Sequence, residues 1–143
     1  MNAVEANLVV RSHQEGLVQG NVDVAYELYA EDFVNYSLGL PEALRHGPGA
    51  IRSQYAYLNS AFSDMEIENH TPTAEGEYIG VRWIWKGRHT GNFLGIPPTN
   101  ARIEIVGFDI LQIRDGKIRA AWIIQDGAGM MAQIQAALAA HTA

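Results

Sequence analysis

From Met65 to Gln125 apolar residues tend to recur at every second position, and the pair Asp115-Gly116 falls inside that pattern. This combination narrows the possible folds more than any other feature. A side-chain period of two means extended backbone with one apolar face. An Asp-Gly pair between two such runs suits the left-handed angles of a two-residue hairpin. Residues 77–90 carry Ile79, Val81, Trp83 and Trp85 on one face and Arg82, Ile84, Lys86 and Arg88 on the other. Residues 101–114 set Ile103, Ile105, Leu111 and Ile113 against Arg102, Glu104, Gln112 and Arg114. With residues 117–125 the pattern predicts an antiparallel meander.

Ahead of the meander the period is that of a helix. Val4 with Leu8 and Val10 with Leu17 predict a helix over 3–19. Gly20 can close it, and Asn21 can cap a short second helix bearing Val22, Ala25 and Leu28 or Tyr29. A short extended run, Asp32 to Tyr36, and a loop to His46 follow. Gly47-Pro48-Gly49 opens a third helix through Ile51, Tyr55, Leu58 and Phe62, and Met130, Ile134 and Leu138 mark a closing one. Helices set apart from an antiparallel sheet give an α+β architecture. A twisted sheet curled around the helices leaves a pocket between them. No repeat or linker divides the chain, so residues 1–143 are expected to form one domain.

Composition removes several classes of function. Ten basic residues against sixteen acidic ones give a net charge of -6, and no basic cluster offers a nucleic-acid footprint. With no cysteine there is no thiol nucleophile and no Cys-zinc site. His13, His46, His70, His89 and His141 lack metal-ligand spacing, so no metal is expected. No apolar run is long enough for a membrane span, and the first residues do not read as a secretory signal. A cytoplasmic protein is the expectation.

The sharpest chemical signal is Asp109, which alternates in phase with Ile105, Leu111 and Ile113. A carboxylate on the apolar face is costly to bury unless paired. It reads as a pocket general acid or base. The bland alternatives are a bulge at Gly107 that turns it to water, or a buried carboxylate tied to a structural Arg or Tyr. His89 is in phase with Trp83 and Trp85 near a strand end, where it can relay a proton or simply bond the backbone of the following loop. Asn35 and Tyr36 stand on opposite faces of the short strand, so one must point inward. Tyr55, Trp83, Trp85 and Phe93 are either core packing or the walls of a flat hydrophobic site. Gln125 ends the last strand, and Asp126 is either a helix N-cap or a second pocket carboxylate.

The stretch Gly87-Arg88-His89-Thr90-Gly91-Asn92-Phe93-Leu94-Gly95-Ile96-Pro97-Pro98-Thr99 resembles the signature loop of the SnoaL-like ester cyclases, close to G-x-H-T-G-x-F-x-G-x-P-P-T-G. Gly107 to Ile113, Asp115 to Ile118, and Trp122 with Asp126 resemble the family's following blocks. The resemblance implies an NTF2-like (cystatin-like) cone. It also implies a homodimer or homotetramer packed through the sheet. The chemistry implied is a cofactor-free aldol closure on a hydrophobic, polyketide-like substrate. In the family pattern the catalytic aspartate directly follows the last strand's tryptophan, which is Ile123 here, and its histidine partner falls on Asp109. Catalysis is then expected from Asp109 and His89. Substrate contacts are expected from Asn35, Tyr36, Tyr55, Trp83, Trp85, Phe93, Ile123 and Gln125. A binding module or hydroxylase accessory on the same cone is the alternative.

Overall fold

The computed structural model describes residues 3–142. Helix α1 (Ala3–Arg11) runs without a break into a π-helical segment, Ser12–Val18. A 3-10 turn, Val22–Val24, leads to helix α2 (Ala25–Leu28) and strand β1 (Tyr29–Asn35). Helix α3 (Pro48–Ala61) is followed by strands β2 (Phe62–Glu75), β3 (Tyr78–His89), β4 (Arg102–Arg114) and β5 (Lys117–Gln125), then helix α4 (Gly127–Thr142). The sheet order is β1-β5-β4-β3-β2, with β1 parallel to β5 and every other pair antiparallel. Among the described residues no helix is long and apolar enough to cross a membrane.

The local signals act as their chemistry requires, with one exception. Asp115 and Gly116 both take positive φ, 53° and 73°, as the β4–β5 hairpin turn needs. Gly20 takes φ 78° beyond the π-helical segment. Asn21, expected as a cap, makes no side-chain capping bond; its backbone N–H donates to Glu15 O instead. Asp126 is the N-cap of α4, accepting from Gly129 N at 2.8 Å. Asn100 takes φ 61° where the signature pattern ends in glycine, a conformation asparagine tolerates better than most residues.

The inner face of the sheet packs on the helices. Phe33, Phe62, Ile103, Ile118 and Ile134 are among the side chains fully out of water. The outer face departs from the expectation of charge. Its ends are polar, but Val106, Phe108, Ile110, Trp122 and Ile124 are exposed across its middle, and Tyr36 stacks on Trp122 at 5.2 Å. Beyond the end of β5, strand β4 has a free edge, and α4 closes it. Gln133 donates to Glu104 O at 2.8 Å and accepts from Glu104 N at 3.0 Å, so a side-chain amide stands in for a neighbouring strand.

Candidate functional site

Between the helices and the inner face lies a cavity of about 240 Å³. Its walls are mostly apolar, with Leu17, Ile51, Leu58, Ile67, Ile105, Leu111 and Met130 among them. Polar groups are few, which is the usual make-up of a small-molecule site. A second chamber, about 430 Å³, adjoins it across Gln54, Ile123 and Gln125 and adds Asn35, Ser37 and Leu38.

Asp109 is on the wall of the inner cavity and is 4% exposed. No bulge turns it outward, because β3 and β4 stay in register through Trp83↔Gly107 and Val81↔Asp109. Trp83 Nε1 donates to Asp109 Oδ1 at 2.8 Å. Gly107 makes this possible. The Trp83 indole lies across it, and a Cβ there would come within 2.1 Å of the ring. Gly87 gives the Trp85 ring the same room, with its would-be Cβ 2.6 Å from that ring. Asp109 Oδ2 lies 3.3 Å from His13 Nε2, and His13 Nδ1 lies 2.6 Å from Asn69 Oδ1.

His13 is the residue that sequence reasoning missed. A signal was present: Val9, His13 and Leu17 recur four apart on the buried stripe of the first helix. The π-helical segment starts at Ser12, and Ser12 and His13 both turn inward although adjacent in sequence. Single π turns inside helices are frequent at functional sites. Ser12 Oγ lies 2.7 Å from Tyr29 Oη and 2.9 Å from Tyr55 Oη. Burial raises both tyrosine pKa values, Tyr55 to about 12 and Tyr29 well above its usual value, and the nearby Asp109 charge pushes in the same direction. Both therefore remain neutral hydroxyls at any ordinary pH.

The expected site residues divide between three places. Tyr55, Trp83, Trp85, Phe93, Ile123, Gln125 and Asp109 line the inner cavity. Asn35 lines the outer chamber, where its Oδ1 accepts from the Ser37 backbone and hydroxyl. His89 and Tyr36 line neither chamber. His89 is fully buried beside Phe62, with Nδ1 3.0 Å from Thr99 Oγ1, because β2 and the following loop cover that end of β3. Burial lowers its pKa. Tyr36 projects from the opposite face onto Trp122. Ile123 is the cross-strand partner of Asp109. The position where the family pattern has its acid and the position that holds one here are therefore next to each other. Among the described residues no group of three potential ligands is placed to hold a metal ion.

The model of the SnoaL-like polyketide cyclase family matches residues 7–134. The chain belongs to that family. It is 30% identical over 117 residues to the aklanonic acid methyl ester cyclase DauD of Streptomyces sp. (strain C5), covering 78% of this chain and 70% of that protein. To the nogalonic acid methyl ester cyclase of Streptomyces nogalater it is 28% identical over 101 residues, covering 70% of this chain and 75% of that one. The fold of this SnoaL-like chain is close to that of TsrD from Streptomyces laurentii, with TM-score 0.83 at 20% identity over 95% of this chain and 98% of that chain. The architecture is the α+β NTF2-like cone that the sequence resemblance implied.

Proposed function

We propose that this SnoaL-like chain closes a ring on an aromatic polyketide methyl ester by intramolecular aldol addition, with Asp109 as the general base. The observation that carries the reading is a nearly buried carboxylate on the wall of an apolar cavity, held by the Trp83 N–H and facing His13. The aromatic walls Trp83, Trp85, Phe93 and Tyr55 suit a flat substrate. The neutral hydroxyls of Tyr29 and Tyr55, both on the cavity wall and backed by Ser12, can donate to the oxygen on which negative charge develops. Gln54 and Gln125 stand between the chambers, where they can orient polar substituents of a molecule reaching from one into the other. The names of the two Streptomyces relatives supply the substrate class.

The test is incubation with aklanonic and nogalonic acid methyl esters, followed by chromatography that separates open and closed isomers. The wild-type protein closes at least one of them, and Asp109→Asn lowers the rate by about 10²- to 10⁴-fold. Equal turnover by that variant would remove Asp109 from the mechanism. Binding without conversion would favour a non-catalytic module.

The same reading includes a homodimer or homotetramer assembled through the outer sheet face. The exposed run Val106, Phe108, Ile110, Trp122 and Ile124 supports it, since a contiguous apolar patch marks an interaction surface.

A further inference from the structure

The contacts of His13 fix where its protons lie. Nδ1 is 2.6 Å from Asn69 Oδ1, an atom that can only accept, so Nδ1 carries hydrogen. A neutral ring protonated there would present a bare lone pair at Nε2. Yet Nε2 faces Asp109 Oδ2 at 3.3 Å, and the two side chains are 8% and 5% exposed. A lone pair set against a carboxylate, out of water, is repulsive. One proton held between the two atoms makes the contact attractive. The other groups facing the pair are Trp83 from β3, Tyr29 from β1 and Tyr55 from α3, none of them charged at neutral pH. No Lys or Arg lines the cavity among the described residues.

We propose that His13 is the catalytic acid partner of Asp109, that the two share a single proton between Nε2 and Oδ2, and that Asn69 is the positioning residue that keeps the other ring nitrogen protonated. The proposal rests on the reading of Asp109 as base and deepens it. In the step, Asp109 Oδ2 takes a proton from the activated carbon, leaving an enolate. The enolate carbon bonds to the carbonyl carbon of the substrate's other arm, and the carbonyl π electrons move onto its oxygen. His13 gives that oxygen its Nε2 proton. The proton on Asp109 then crosses to Nε2 and resets the pair. Nothing is oxidised or reduced, and the product is an isomer of the substrate. The geometry selects carbon acids whose acceptor carbonyl can reach Nε2 while the acidic C–H lies at Oδ2.

Long-range ¹H–¹⁵N spectra of the full chain, with His13 assigned by comparison with His13→Gln, read the proton placement without any substrate. A His13 ring that carries hydrogen at both Nδ1 and Nε2 is expected. A neutral Nε2–H ring would overturn the proposal. Asn69→Ala should lose the Nδ1–H preference and lower kcat/KM about 10- to 100-fold, and Asn69→Asp, which keeps an acceptor, should restore both. A second arm separates acid from base. In D₂O with an aromatic β-keto ester as probe, His13→Gln should lose far less deuterium uptake at the activated carbon than it loses ring closure. Ring closure of the polyketide methyl ester by the same variant should fall about 10²- to 10⁴-fold. Equal loss of both would sink the acid role. Should the wild-type protein show neither exchange nor closure, the reading of Asp109 fails with the acid role, while the spectra still decide where the protons of His13 lie.

Discussion

The two faces of β4 obey opposite rules, and each breaks its rule at the same height. The inner face is apolar from Ile103 to Ile113 except at Gly107 and Asp109. The outer face is polar at Arg102, Glu104, Gln112 and Arg114 except at Val106, Phe108 and Ile110. A fold alone requires neither exception. A buried carboxylate costs stability unless paired, and exposed large apolar side chains favour association. That both occur at mid-strand fits the proposed ligand chemistry inside and the proposed assembly outside, separated by one thickness of sheet.

Substitutions that break this contrast should have graded effects. Asp109→Asn has the largest, removing the charge of the inner exception with the loss of ring closure given above. Circular dichroism should show the fold intact, since an amide oxygen can still accept from Trp83.

Phe108→Arg, with Ile110→Arg, removes the outer exception. If the assembly runs through this face, dissociation should strengthen by at least about 30-fold, as for loss of a hot-spot residue. Light scattering across a dilution series measures it. An unchanged mass at every concentration would place the interface elsewhere.

Gly107→Ala sharpens the contrast without touching a polar group. Its methyl would collide with the Trp83 indole, which must leave Asp109 or displace β4, at a cost of about 1–3 kcal/mol. Gly80→Ala is the control, because a Cβ there meets only Thr73 Oγ1 at 3.7 Å. Urea unfolding of the two should differ accordingly.

The smallest effects are in pH. Tyr29 and Tyr55 have pKa values raised by burial, so the unfolded chain gives up these protons first. Their contribution to stability is full below pH 10 and is lost as pH rises from there, through about 12 for Tyr55. His89 has its pKa lowered by burial, so the unfolded chain binds its proton first as pH drops. Stability should decline as pH falls below 6.5 toward the folded value. His89→Gln should flatten the acid limb of the melting-temperature curve and leave the alkaline limb unchanged.

The strand pattern was legible because burial on one face imposes a period of two, and the phase of Asp109 came with it. The bond from Trp83 to Asp109 was not. It depends on the β3–β4 register and on an indole lying across a glycine, and neither leaves a trace in local spacing. His89 shared the phase of Trp85, yet the cover over that end of the sheet is tertiary. His13 and Asn69 each sat in phase with apolar neighbours, on the first helix and on β2. Their partnership joins elements 56 residues apart, and periodicity within one element says nothing about its neighbours. The outer apolar run was overlooked because the charged ends of β4 set the reading of that face.

The amide of Gln133 occupies a backbone vacancy on β4, and this has a consequence for handling the protein. A chain cut before Gly127 would leave the unpaired edge of β4 open beside Val106 and Phe108, a template on which a strand of another molecule could dock. Such a fragment would be prone to self-association through its edge, and tags or fusions at the carboxyl end are best joined beyond α4.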